Sequence, residues 1–275
     1  IIAAASTRNV GKLLVQGLHK MEYRGYDSAG IALHQENSIA HLRALGKVQL
    51  LEDMMISEKP KSKLGIAHTR WATHGEPSEV NAHPHKSKDK VYIVHNGIIE
   101  NYIELKEALV KDGYEFSSQT DSELIAHLLD SYLEKGNSMI DAMYLAKEKL
   151  EGAYAIAAID MDNNNSLVVA RNKSPLLLGI GTDEMLAASD PLAIGQLTNE
   201  FVFLEDGDVA EISAESYKIF DEKLIVFFYF DSYDHEFSNC RNLWISRYPT
   251  LVVKTGLILP FKNFQKKISK SLPML

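Results

Sequence analysis

Short β-prone runs, separated by turn residues and interrupted once by a block of helical patterns, restrict what this 275-residue chain can fold into. The first run, residues 1–5, is apolar with small and β-branched side chains and reads as a buried strand. Further runs lie at 30–33, 65–68, 91–95, 153–159, 167–170, 176–180, 201–204 and 208–212. Turn clusters such as Asp162-Asn163-Asn164-Asn165 and Glu205-Asp206-Gly207-Asp208 stand between them. Many short strands with a few grouped helices predict an α+β fold of layered antiparallel sheets.

Four helices are expected. Asn9 caps one in which Val10, Leu13, Leu14, Leu18 and Met21 recur at helical spacing. Asn101 with Glu104 reads as a capping box for a second, stopped at Gly113. A third starts near Thr120 or Asp121, and Leu124, Ile125, Leu128, Leu129, Tyr132 and Leu133 make its apolar stripe as far as Gly136. A fourth follows Ser138, buries Ile140, Met143 and Leu150, and ends before Gly152.

The net charge of −8 argues against nucleic acid or an anionic membrane as the main partner. No run of eighteen apolar residues and no leader pattern is visible, so the expected location is cytoplasmic. The one cysteine, Cys240, excludes an intrachain disulfide and a multi-cysteine zinc site. Near Leu224 the composition turns basic and aromatic, which marks residues 224–275 as a divergent tail, frameshifted or disordered; 226–230 is its aggregation-prone part.

The polar motifs suggest chemistry. An amide hydrolase with a covalent intermediate needs a nucleophile, a base, an oxyanion hole and groups that grip the substrate's charged ends. In His95-Asn96-Gly97 a strand is expected to run into a turn, so that the Asn96 amide and the Gly97 N–H face a pocket. Such donors are worth about 3 kcal/mol of barrier each. The competing reading is an ordinary Asn-Gly hairpin turn. Arg70, in His68-Thr69-Arg70-Trp71-Ala72-Thr73-His74-Gly75, can clamp an α-carboxylate, with a surface ion pair as the alternative. Asp121 can bind an α-ammonium or serve as a helix cap with Thr120, and Trp71 can be a half-buried core aromatic. His83 and His85, with His68 and His74, match no tetrahedral zinc spacing, and no metal is expected. Asp160, Asp162 and Asn164 alternate as in a calcium loop but lack its glycine and closing glutamate, so they read as a turn.

Taken together, the segment 23–30 (Tyr-Arg-Gly-Tyr-Asp-Ser-Ala-Gly), the segment 68–75, Asn81-Ala82-His83-Pro84-His85, Asn96-Gly97-Ile98-Ile99-Glu100-Asn101 and Thr120-Asp121 resemble the glutaminase domain of the hexosamine-forming glutamine amidotransferases. The likeness covers 1–223. It implies the N-terminal-nucleophile hydrolase fold, a four-layer αββα sandwich, acting without a cofactor on glutamine. It also implies that Arg70, Thr73 and His74 hold the glutamine carboxylate, Asp121 and Gly97 its ammonium, and Asn96 with Gly97 the oxyanion. Trp71 would lie on the loop that closes over glutamine, and Arg24 beside the nucleophile. The parent enzymes carry isomerase domains that bind a sugar phosphate, and a homo-oligomer is expected of them.

The resemblance departs at both ends. The family's mature chains begin Cys-Gly, with the thiol as nucleophile and the α-amine as base, and Ile1 matches their third residue. The expectation is a chain shortened by two residues and inactive as written, with a glutamine-binding pseudo-enzyme as the alternative. No isomerase sequence is recognisable after Leu224.

Overall fold

The computed structural model describes residues 1–72 and 75–220, together with the backbone of 226–229. The first third of the chain forms β1 (Ile2–Ser6), α1 (Gly11–Met21), β2 (Ser28–His34), β3 (Ile39–Leu45), α2 (Val48–Glu58), β4 (Leu64–Arg70), β5 (His85–Ser87) and β6 (Val91–Ile99). Three helices follow: α3 (Tyr102–Lys111), α4 (Glu123–Leu133) and α5 (Met139–Lys147). The remaining strands are β7 (Gly152–Asp160), β8 (Asn163–Asn172), β9 (Leu177–Gly181), β10 (Glu184–Ala188), β11 (Glu200–Phe203), β12 (Val209–Ser213), β13 (Tyr217–Phe220) and β14 (Val226–Tyr229).

The strands form two antiparallel sheets of seven. One runs β11-β9-β10-β1-β4-β2-β3 and the other β14-β13-β12-β8-β7-β6-β5. Their facing surfaces meet through small and branched side chains: Ala3, Ala5, Leu64 and Ile66 on one side, and Val94, Ala155, Ala157 and Val169 on the other. Because side chains alternate along a strand, Ile2 and Ala4 point the opposite way, under Leu14 and Leu18 of α1 and beside Val48 and Leu51 of α2. On the second sheet Ile93, Ile156 and Ala158 point outward beneath Leu124 and Leu129 of α4 and Met143 of α5. The stack is therefore helix, sheet, sheet, helix, the expected α+β four-layer αββα sandwich.

Several local expectations are corrected. Asn101 and Glu104 form no capping box: Asn101 donates from its amide to the Lys149 carbonyl at 2.9 Å and accepts from the Glu151 N–H at 3.1 Å. Helix α4 starts two residues later than expected, so neither Thr120 nor Asp121 caps it. Ser138 does cap α5, accepting from the Asp141 N–H at 3.2 Å. The turn expected at 160–164 is narrower: Met161 and Asp162 alone join β7 to β8, Asp160 and Asn163 pair as strand residues, and the Asp162 N–H donates to Asp160 Oδ1 at 3.1 Å. Residues 221–225 and 230–275 lie outside the described residues, and with them Cys240 and the rest of the tail. The backbone of β14 pairs with β13 and so carries the second sheet past residue 223.

Leu14 is fully buried between the first sheet and α1, its Cδ1 close enough to Gly65 to crowd any Cβ placed there. Leu14→Ala should therefore cost about 3 kcal/mol, read in urea unfolding as a lower midpoint at unchanged slope.

Candidate functional site

Antiparallel pairing brings the start of β1, the end of β4 and the end of β10 to one rim of the first sheet. The second half of β6 and the loop before α4 face that rim. Between them lies a cleft of about 520 Å³ whose wall includes Ile1, Arg24, His68, Arg70, Trp71, Asn96, Gly97, Asp121 and Ser189.

Asn96 and Gly97 are not a turn. Strand β6 continues to Ile99, and Gly97 pairs with Tyr154 of β7. The glycine is required here: at φ 128 a Cβ would come 1.9 Å from the Ala153 carbonyl oxygen. The reading of this dipeptide as a hairpin turn is thereby overturned, and both residues line the cleft from a sheet strand. Asn96 Oδ1 is 2.7 Å from His68 Nε2, an imidazole on the opposing sheet.

Arg70 is buried, 5 % exposed, which removes the surface ion pair as its role. Its Nη2 donates to the Gly75 carbonyl at 3.2 Å, and Nη1 stands 3.8 Å from Asp27. Burial lowers its pKa, opposed by the carboxylates of Asp27 and Asp121. Asp121 is buried as well; its Oδ2 accepts the Ile99 N–H at 2.8 Å, tying this carboxylate to the strand that carries Asn96. Trp71 is 66 % exposed, not half-buried in the core, and its indole lies against Gly25, whose φ of 75 and missing side chain make room for the ring.

Arg24 donates from Nη2 to Asp190 Oδ2 at 2.7 Å, and the Tyr23 hydroxyl donates to the same oxygen at 2.5 Å. Next to this group the Ile1 α-amine donates to Ser189 Oγ at 2.9 Å. Burial, reinforced by the Arg24 charge, lowers that amine's pKa to about 5. Thr73 and His74 lie outside the described residues.

The sequence reading missed Ser189, which reaches the rim from the end of β10, a strand it did not anticipate. It named His95 without giving it a role and missed Ser122, to which His95 is joined Nδ1 to Oγ at 2.9 Å. His68 and His83 were weighed only as zinc ligands. In the fold their ring centroids lie 4.2 Å apart at a tilt of 39°, and His85 meets Thr120 Oγ1 at 3.0 Å.

Burial holds these imidazoles neutral: His95 at about 4, His85 at about 3, and His68 and His83 well below 6.5. A histidine whose pKa is depressed by folding takes up its proton more readily when unfolded, so its contribution is whole above pH 6.5 and declines as pH falls toward 4. His19, whose partial burial is outweighed by hydrogen bonds to Glu22 and Glu52, works the other way, but it is one group against five, since burial also lowers His41 to about 4. Urea midpoints should be lower at pH 5 than at pH 7.5.

A glutamine amidotransferase domain model matches residues 68–196. Glutamine–fructose-6-phosphate aminotransferase (isomerizing) from Haemophilus ducreyi is 50 % identical over 223 residues, covering 81 % of this chain and 36 % of that protein. The same enzyme from Vibrio parahaemolyticus is 49 % identical over 222 residues, covering 80 % and 36 %. The chain thus spans about a third of the length of the curated relatives it matches. Among solved structures, glutamine phosphoribosylpyrophosphate amidotransferase from B. subtilis superposes with a TM-score of 0.69 at 24 % identity, covering 79 % of this chain and 48 % of that one. A structure described as the allosteric regulatory enzyme of purine biosynthesis gives 0.64 at 23 %, covering 85 % and 49 %. These two likenesses bear on the fold alone, and it is the sandwich described above. The chain contains a glutamine amidotransferase domain of the kind carried by the glutamine–fructose-6-phosphate aminotransferases.

Proposed function

We propose that this domain, spanning 1–223, hydrolyses glutamine to glutamate and ammonia for a glucosamine-6-phosphate-forming enzyme. The supporting observation is the convergence of Arg70, Asp121, Asn96 and Gly97 on one cleft whose wall also holds the start of β1. Arg70, with Thr73 and His74, grips the α-carboxylate. Asp121 and Gly97 take the α-ammonium, and the remaining length of glutamine carries its amide to Asn96 and Gly97. Trp71 covers the entrance, and Arg24 flanks the nucleophile.

The chemistry needs a thiol at the start of β1, and no cysteine is among the cleft residues. Two residues ahead of Ile1, Cys-Gly, supply it in this reading. The thiol adds to the amide carbon, and Asn96 Nδ2 and the Gly97 N–H hold the oxygen that becomes negative. The C–N bond then breaks, ammonia leaves with the proton that the thiol gave up, and water cleaves the thioester to glutamate. Ammonia then passes to a sugar-phosphate-binding domain outside this chain, in a cytoplasmic homo-oligomer.

The test assays glutamate release from the sequence as it stands and from a protein with Cys-Gly ahead of Ile1 and the initiator methionine removed. Release by the extended protein alone is expected. A folded extended protein that binds glutamine and releases nothing would replace this reading with a non-catalytic glutamine-binding module. In the active protein, Arg70→Lys should raise KM for glutamine about 10- to 100-fold with little change in kcat, since a charge-assisted pair worth about 1.5–3 kcal/mol is lost on binding.

A further inference from the structure

An asparagine side chain at an oxyanion site helps only if its NH₂ faces the reacting oxygen. Turned over, it aims a carbonyl oxygen at a developing negative charge. The terminal torsion of Asn is broad and roughly two-fold, so the strand alone does not choose between the two faces. We propose that His68 makes the choice, as a positioning residue whose Nε2–H holds the Asn96 carboxamide with its NH₂ toward the cleft. This rests on the glutaminase reading above.

Three observations carry it. His68 Nε2 is 2.7 Å from Asn96 Oδ1, a hydrogen bond that crosses from β4 of one sheet to β6 of the other. Paired with an oxygen that can only accept, Nε2 must carry the proton, which leaves Nδ1 as the lone-pair nitrogen; Nδ1 is buried with no partner among the described residues. The opposite tautomer would present a lone pair at Nε2 and draw the Asn96 NH₂ toward His68, away from the cleft.

The ring itself is held in place. The His83 ring packs against it, tilted by 39° with centroids 4.2 Å apart, and the segment bearing His83 is fixed on both sides. Arg43 Nη1 donates to the Val80 and Ala82 carbonyls at 3.2 Å, and His41 Nε2 donates to the Pro84 carbonyl at 2.8 Å. Gly30 admits the His83 carbonyl where a Cβ would come within 2.1 Å. Burial keeps His68 uncharged, so its tautomer is set by these contacts rather than by solvent.

The test uses the chain extended by Cys-Gly. His68→Leu should lower kcat about 10- to 100-fold, within the roughly 10²–10³-fold cost of losing an oxyanion donor outright, while KM for glutamine stays within about twofold. His68→Gln, which keeps an N–H near the same point, should recover most of kcat. In an Asn96→Ala background His68→Leu should cost nothing further, because there is no carboxamide left to orient. Where His68→Leu does not fold, His68→Phe keeps a ring against His83 without the N–H and takes its place. Equal losses with and without the Asn96→Ala change, or a loss that Gln does not relieve, would reduce His68 to a packing role and overturn the assignment. An extended wild-type protein with no glutaminase activity would sink the glutaminase reading itself; activity that survives His68→Leu unchanged would sink only this inference.

Discussion

Strand β1 has no solvent-facing side. Ile1, Ala3 and Ala5 face the second sheet, and Ile2 and Ala4 face the helices, all at 2 % exposure or less. A strand enclosed this way can exchange its backbone hydrogen bonds only with neighbours, and it does so with β4 and β10 at once. Both neighbours therefore end at the rim where β1 begins. Small side chains let the sheets approach, and close sheets bring β6 within hydrogen-bonding reach of β4. The cleft is a consequence of how β1 is buried.

That rim is polar where the rest of the interface is apolar, and buried polar groups are costly unless paired. Here they are mostly paired across elements: His68 with Asn96, His85 with Thr120, His95 with Ser122, and Glu123 with the N–H groups of Ser117 and Ser118. Asn81 adds a cross-tie, accepting the Gln119 N–H at 2.9 Å and donating to the Glu76 carbonyl at 2.9 Å. The loop after Arg70 and the loop before Asp121 are thus fastened to each other through one buried side chain.

The α+β class and most core strands were legible because their apolar runs are dense and their ends are marked by turn residues. What escaped has physical causes. Helix α2 buries only Val48 and Leu51 completely, too little to show as a stripe. In β3, His41 and Arg43 break the apolar alternation because they brace the segment 80–84. Asn96-Gly97 looks like a turn in one dimension, and only the Ala153 carbonyl pressing on Gly97 explains a glycine inside a strand. Arg70, Asp121 and Asn96 were visible as a group through family wording, whereas Ser189 belongs to no local pattern and joins them only when β10 lies beside β1. Thr73 and His74 lie outside the described residues.

One hydrogen bond described above sets a scale. Asp121 is fastened by its Oδ2 to the backbone of Ile99, two residues along the same strand from Gly97. In the proposed reading, the anchor for the amino end of the substrate and the cradle for its side-chain carbonyl therefore hang from a single rigid rail, at a spacing that loop movement elsewhere leaves unchanged. Such a rail works as a ruler. In that reading, a side chain one methylene shorter, as in asparagine, satisfies either mark but not both, and the sheet itself does the measuring.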